Sequence, residues 1–261
     1  MIEEVHQPRQ MRPRVIPVLL LRDGQLYKTV RFRNPKYVGD PRVAVKIFND
    51  KGCDELILLD ISATPQHRGP DYQLIEEIAS ESFMPIAYGG GVSSAAQART
   101  IFSLGVEKVV LNSNAVENPS LISEISSLAG ASSTVVSIDV TRDWLRRSRV
   151  VIGCGHKKTN LAPIEWARSA VARGAGEIVV NSIECDGAME GYDLALIKEI
   201  SQAVDVPVVA VGGAGQEAHL RQAVDAGAAA AAAGSLFVFQ GPHRAVLITY
   251  PNENKLSALF G

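Results

Sequence analysis

Pro85-Ile86-Ala87-Tyr88-Gly89-Gly90-Gly91 decides the fold of this chain, because it is written twice: Pro207-Val208-Val209-Ala210-Val211-Gly212-Gly213 repeats it. The first copy leads into Gly105-Val106-Glu107-Lys108-Val109-Val110-Leu111-Asn112-Ser113, and the second into Gly227-Ala228-Ala229 and on to Gly234-Ser235. The offset is constant at 122 residues, from Pro85 to Pro207, Gly105 to Gly227 and Ser113 to Ser235. Each copy reads as a strand ending in glycines, a helix, and a strand ending in a small or polar residue. Outward from these copies the register persists. Residues 55–61 (ELILLDI) match residues 177–183 (EIVVNSI), and such apolar runs without alternation suit parallel strands buried on both faces.

The remaining stretches fill in the alternation. Residues 14–21 (RVIPVLLL) read as a first strand closed by the turn Arg22-Asp23-Gly24. Residues 28–40 read as a loop carrying Arg31, Arg33 and Lys36. Asp40-Pro41 then starts a helix with Asp as N-cap and Val43, Ile47 and Phe48 as its apolar stripe. Helices are predicted over 70–82, 93–105, 117–128, 163–174, 194–204 and 217–227, with further strands over 108–112 and 134–139. Residues 229–235 read as a strand because the repeat register outweighs the helix preference of alanine. A closing helix is expected after Gly241, but only the short stretch 242–247 stands there before Pro251. Eight β–α units in two equal halves predict an α/β fold, a (β/α)8 TIM barrel with a two-fold half-barrel repeat. An open doubly wound sheet is the alternative. The barrel is expected to be a single domain over residues 1–261, with 1–11 as an N-terminal extension.

Composition narrows the function classes. The 261 residues are 46% hydrophobic and only 6% aromatic, which fits an aliphatic α/β interior. A net charge of −2 provides no overall attraction to nucleic acid or anionic membranes. Cys53, Cys154 and Cys185 are scattered and lack metal-ligand spacing, so reduced thiols in a cytoplasmic protein are expected, with no metal and no cofactor. The start of the chain is polar, unlike a signal peptide, and the apolar run 226–233 is far short of the roughly 20 residues that span a bilayer.

In a barrel of this kind, residues ending the strands face the site and residues beginning them line the opposite mouth. Gly91 and Gly213, beside helix N-termini, let backbone N–H groups approach an oxyanion. Asn112, Ser113, Gly234 and Ser235 on the neighbouring strands add donors. Tight βα turns would also explain these glycines. Their duplication in register favours two matching anion sites and a ligand anionic at both ends. Asp139 ends its strand and is placed to act as general acid or base, unless it is a turn carboxylate. Asp60 and Asp186 also end or follow strands, and Asp186-Gly187 reads equally well as a turn. Arg14, Glu55, Lys108 and Glu177 begin four strands. They make either a ring of salt bridges across the bottom of the barrel or a solvated charge layer.

Together these features resemble the HisF family, the cyclase subunit of imidazole-glycerol-phosphate synthase. The motifs DELILLDI, GGGVSS, KVVLNSNAVENP, SIDV, IEWA, GAGEIVV, DGAMEGYD and VVAVGGAG stand in family order, from about Arg12 to Phe239. The resemblance implies a barrel that receives ammonia from a HisH-like glutaminase docked on its bottom and passes it to a bisphosphorylated substrate at the top. It maps an ammonia gate to Arg14, Glu55, Lys108 and Glu177. One phosphate site maps to Gly91, Asn112 and Ser113, and the other to Gly213, Gly234 and Ser235. Lys28 matches the lysine that opens the flexible first loop, Asp139 one of two catalytic aspartates, and Asp186 another active-site acid.

The departure is at the first strand. Where the family reads C-L-D-V, this chain reads Val18-Leu19-Leu20-Leu21, so Leu20 takes the place of the other catalytic aspartate. Ala188-Met189 replaces a Thr-Lys pair and Val211 a serine, the first loop is unusually basic, His156-Lys157-Lys158 adds to it, and the last helix is curtailed. An intact conduit under altered chemistry resembles the HisF-like paralogues of surface-polysaccharide pathways. With a glutaminase and a third protein, those paralogues install an amidino nitrogen on an N-acetylated sugar. The expected ligand is then a phosphorylated or nucleotide-linked sugar. A histidine-pathway cyclase and a non-catalytic ammonia conduit are the alternatives.

Overall fold

The computed structural model describes residues 12–261; residues 1–11, read above as an extension, lie outside the described residues. Eight parallel strands close on themselves: β1 (Arg14–Arg22), β2 (Leu56–Asp60), β3 (Ile86–Gly89), β4 (Lys108–Leu111), β5 (Thr134–Arg142), β6 (Glu177–Ser182), β7 (Val208–Val211) and β8 (Ala230–Ala233). Each pairs with the next, and Arg14 of β1 pairs with Ala230 of β8 to complete the ring. Between them run α1 (Pro41–Asp50), α2 (Tyr72–Glu81), α3 (Ala95–Ser103), α4 (Ser120–Ala129), α5 (Pro163–Ala172), α6 (Leu194–Ser201) and α7 (Glu217–Asp225), with α8 (Glu253–Phe260) last. The chain is the (β/α)8 barrel its repeat predicts.

The alternation of side chains along each strand separates two apolar layers. Outward residues such as Leu19, Leu58, Tyr88, Val136, Ile178 and Ala210 pack against the helices. Inward residues Ile16, Val18, Ile57, Ala87, Val110, Val135, Val179, Val209, Ala230 and Ala232 form a second cluster inside the barrel. The four alanines of β8 are buried on both faces, where backbone pairing to β7 and β1 and the narrow space outweigh alanine's helix preference. The N-caps follow the sequence signals. Asp40 accepts from Arg42 N–H with Pro41 behind it, Asp71 from Leu74, Ser94 from Gln97 and Asp193 from Leu196.

Four expectations change. Residues 28–40 are not an open loop: Gln25–Val30 and Arg33–Gly39 form an antiparallel hairpin that extends from Leu20–Arg22 of β1. On α1, Val43 faces solvent at 59% exposure, and Pro41, Ala44, Val45 and Phe48 make the buried face. The helix expected over 117–128 starts only at Ser120, as α4, and a separate short helix, Ser113–Glu117, precedes it, ended at Asn118-Pro119 because proline has no N–H to continue the ladder. The closing helix does exist, as α8. It is delayed past Pro251 by a small hairpin, Phe239–Gln240 with Ala245–Val246. The Arg12 guanidinium bridges Asp54, at the foot of β2, to Glu253 of α8. The Tyr250 hydroxyl donates to Val15 O at 2.8 Å, tying the last segment to β1.

Candidate functional site

At the bottom of the barrel, Arg14, Glu55, Lys108 and Glu177 form one closed ring. Arg14 donates to Glu55 and, at 2.7 Å, to Glu177; Lys108 reaches Glu55 at 2.8 Å and Glu177 at 2.6 Å. Signs alternate around the ring, so each carboxylate faces two cations and neither buried glutamate is left unpaired. The two glutamates hold Arg14 firmly protonated, against burial acting the other way. Of the two readings of these charges, the ring is what the structure contains. Above it lies the apolar inner cluster, and above that, at the strand C-termini, a cavity of about 410 Å³.

Asp139, on β5, faces this cavity. Its Oδ2 accepts from Asn112 Nδ2 at 3.0 Å and its Oδ1 from Asn181 Nδ2 at 3.1 Å. Burial pushes its pKa up to about 7; Asp186 adds to the rise, while the two amides act against it. Its proton is therefore exchangeable near neutral pH. Asp186 lines the same cavity, and burial raises its pKa while the Lys28 ammonium opposes the shift. Asp60 is committed elsewhere. Its carboxylate accepts from Ser62 and Ala63 N–H and from the Ser62 hydroxyl, and pairs with Arg68, which organises the β2–α2 loop. Leu20, on β1 directly across the barrel from β5, also lines the cavity.

The two glycine ends stand on opposite sides of the cavity, four strands apart. On one side a Cβ at Gly91 (φ +70°) would come 2.5 Å from Arg68 O. Ser113 there accepts from Gly153 N–H at 2.8 Å and donates to Asn112. On the other, a Cβ at Gly213 (φ +117°) would come 2.0 Å from Gly191 O, so only glycine fits. Next to it, Lys28 Nζ packs against Gly234 and donates to Val18 O at 3.1 Å, and the buried Ser235 hydroxyl has no partner among the described residues. Burial lowers the Lys28 pKa, with Asp186 opposing. Gly91, Asn112, Ser113, Gly213, Gly234 and Ser235 therefore all border one cavity, with Lys28, Asp139 and Asp186 among them.

Lys28 differs from its expected setting: it is a buried strand residue rather than the opening of a loose loop. Two basic residues of that segment, and one of residues 156–158, are engaged with the scaffold. Arg31 donates through its backbone to Asp186 O and through Nε to Glu184 O, Lys36 reaches Arg244 O, and Lys157 pairs with Glu117. His156 does border the cavity. The residue that sequence reading missed is Asn181. Its signal lay in the repeat itself, because Asn181 occupies the register position of Leu59 in the first half.

The family model described as "Histidine biosynthesis protein" matches residues 14–243. The chain is 50% identical over 247 residues to the Pseudomonas aeruginosa protein named "Putative imidazole glycerol phosphate synthase subunit hisF2", covering 94% of this chain and 98% of that one. It is 47% identical over 252 residues to the Leptospira interrogans protein named "Putative imidazole glycerol phosphate synthase subunit HisF", covering 96% and 99%. It is 41% identical over 227 residues to "Imidazole glycerol phosphate synthase subunit HisF" of Exiguobacterium sibiricum, covering 86% and 90%. With its closed barrel, doubled glycine ends and most of its length matched, the chain belongs to the histidine biosynthesis protein family, in the group of HisF-type imidazole glycerol phosphate synthase subunits.

Proposed function

We propose that this chain is the ammonia-accepting barrel subunit of a glutamine amidotransferase that serves amidino-sugar formation for a surface polysaccharide. In this reading a HisH-like glutaminase docks on the face where the strands begin. Ammonia enters past Arg14, Glu55, Lys108 and Glu177, and meets its acceptor in the cavity at the strand ends. Gly91, Asn112 and Ser113 hold one anionic end of the ligand, and Gly213, Gly234, Ser235 and Lys28 hold the other. Asp139 is the acid–base residue and Asp186 supports it. A phosphorylated or nucleotide-linked sugar fits a cleft with two anion sites, and a third protein completes the amidotransfer.

The observation that carries the reading is the pairing of Leu20 with Asp139 across the cavity, above an unbroken charge ring. Imidazole formation needs several proton transfers from opposite sides of one substrate, and leucine can perform none of them. Absence of such a group costs about 10²–10⁴ in rate. The decisive experiment is a steady-state cyclase assay with free ammonia and the histidine-pathway substrate. The expected result is a trace rate, together with ammonia-dependent amidino-sugar formation when the partner proteins are supplied. A normal cyclase rate overturns the reading in favour of a histidine-pathway subunit.

A further inference from the structure

The segments that follow the strand ends form a rim around the cavity that is both apolar and basic. Residues 142–149 (RDWLRRSR) carry β5 past Asp139 into a hairpin, at whose tip Trp144 is 86% exposed and Leu145 48%. The tip is ordered without either side chain. Asp143 Oδ1 accepts from Leu145 N–H and Arg147 N–H, both at 2.9 Å, and its Oδ2 accepts from Arg147 Nε at 2.8 Å. The Asp143 N–H donates to Arg147 O, which closes the turn. These bonds use backbone groups, Asp143 and Arg147, so any side chain at position 144 would keep them. The one in place is among those that lose most by standing in water.

The rim is continuous. Glu184, just after β6, accepts from Thr141 Oγ1 and Arg142 N–H with its carboxylate and from Arg31 Nε with its carbonyl. Arg244 donates to Gly187 O, and Lys36 donates to Arg244 O. The hairpins over 25–39, 142–149 and 239–246 are thus tied together through the loop that follows β6. Tyr37, Leu194, Val246 and Leu247 add exposed apolar surface along it. The chain carries a net charge of −2, yet within residues 25–39, 142–158 and 239–247 Asp143 is the only acidic residue. That carboxylate is spent on Arg147 and Arg149. The side chains of Arg33, Arg146 and Lys158 have no partner among the described residues.

We propose that this rim docks a protein other than the glutaminase, one that offers an acidic surface with an apolar pocket for Trp144. This rests on the reading above, which calls for a third protein, and places that protein at the strand ends. Tryptophan beside arginine is the composition of a binding hot spot, and a tip already ordered loses little freedom on docking. A stable protein interface buries about 1,200–2,000 Å², more than one tip supplies, and the linkage of three hairpins provides the spread. A second copy of this chain does not suit the rim, because cations would face cations. An anionic bilayer is flat and would meet only the tips, leaving the rest of the rim uncovered.

The test puts the photo-cross-linking residue p-benzoylphenylalanine in place of Leu145 in the whole chain, in its native host, and identifies what becomes attached. One dominant protein adduct is expected. That protein, purified, should bind the wild-type chain with an affinity that falls as salt rises. Trp144→Ser should weaken binding about thirtyfold or more, the loss of a hot-spot side chain, and Arg146→Glu about tenfold or more at low salt. Both side chains are exposed and neither lines the cavity, so Tm and glutaminase binding should be unchanged in both variants. No protein adduct, adducts only between copies of the chain, or binding indifferent to both variants overturns the proposal. So does co-sedimentation with phosphatidylglycerol vesicles that Trp144→Ser abolishes while no protein adduct forms, which assigns the rim to a membrane. If the purified protein binds through Trp144 but no amidino sugar forms when it is combined with the chain, the glutaminase and nucleotide-linked sugars, the docking surface stands and the functional reading falls.

Discussion

Asp139 is held by two amides in a site that disfavours its charge, and this has a consequence for stability. Its folded pKa of about 7 exceeds the ordinary value of 3.8, so the folded chain binds the proton more tightly than the unfolded chain. Its favourable contribution is full below about pH 4 and is lost as pH rises through 7. Asp139→Asn is therefore predicted to stabilise the chain increasingly from pH 4 to pH 8. The gain should be on the order of 1–2 kcal/mol at pH 8, the shift being discounted because water reaches the residue through the cavity. Asn181 can turn its amide to accept from the new one, so the substitution leaves no clash. Thermal unfolding across that pH range measures it, and a gain that does not grow with pH contradicts the assignment. At the facing position, Leu20→Asp should raise trace cyclase activity with free ammonia by at least tenfold, because it restores a second carboxyl opposite the first. A variant that folds and shows no rise would mean that more than this residue separates the chain from the cyclases.

The hairpin Gln25–Gly39 lines part of the cavity wall through Lys28, Thr29, Phe32 and Pro35. Its tip, Arg31-Phe32, takes positive φ at both residues (52° and 61°), a strained turn for residues with side chains. It is held by Arg31 donating to Asp186 O and Glu184 O, and by the approach of its backbone to Gly187. A Cβ at Gly187 (φ +68°) would come 2.2 Å from Thr29 O, so Gly187→Ala should push the hairpin off the cavity. Rapid trypsin cleavage after Arg31 or Arg33 is predicted, with Tm lowered by a few degrees. Gly52→Ala is the control: it has a similar φ of +65° with open space around its Cβ, so it should lower Tm without exposing the hairpin. Equal cleavage rates in the two variants would show that Gly187 does not secure the hairpin.

The same element marks where sequence reading stops. Strands of the barrel were legible because an unalternating apolar run and a 122-residue repeat specify them locally. The hairpin was not. Its second strand is mostly exposed, Lys28 and Thr29 of its first strand are polar yet buried, and both strands are fixed by pairing to β1 and by docking on the β6–α6 loop, contacts distant in sequence. The burial of Lys28 has the same origin.

At the scale of the molecule, the barrel separates a ring of charges at its bottom from the cavity at the strand ends by a layer of aliphatic side chains. The ring joins four strands of both half-barrels, so it fastens the bottom of the barrel. A purely structural ring and a gate predict different outcomes for Lys108. Lys108→Met leaves Glu55 and Glu177 with Arg14 alone, and loss of one partner in a buried network should cost about 2–4 kcal/mol, less than a fully dry site because Lys108 keeps 18% exposure. The barrel should tolerate this loss and stay folded at 25 °C. If the ring only fastens the barrel, glutamine-driven and ammonia-driven turnover of the reconstituted complex will fall together. If ammonia crosses the ring, glutamine-driven turnover should fall by tenfold or more while turnover with saturating external ammonium chloride, which enters from the open cavity, stays within about twofold. The ratio of the two rates, taken on samples shown by calorimetry to be folded, separates a fastener from a passage.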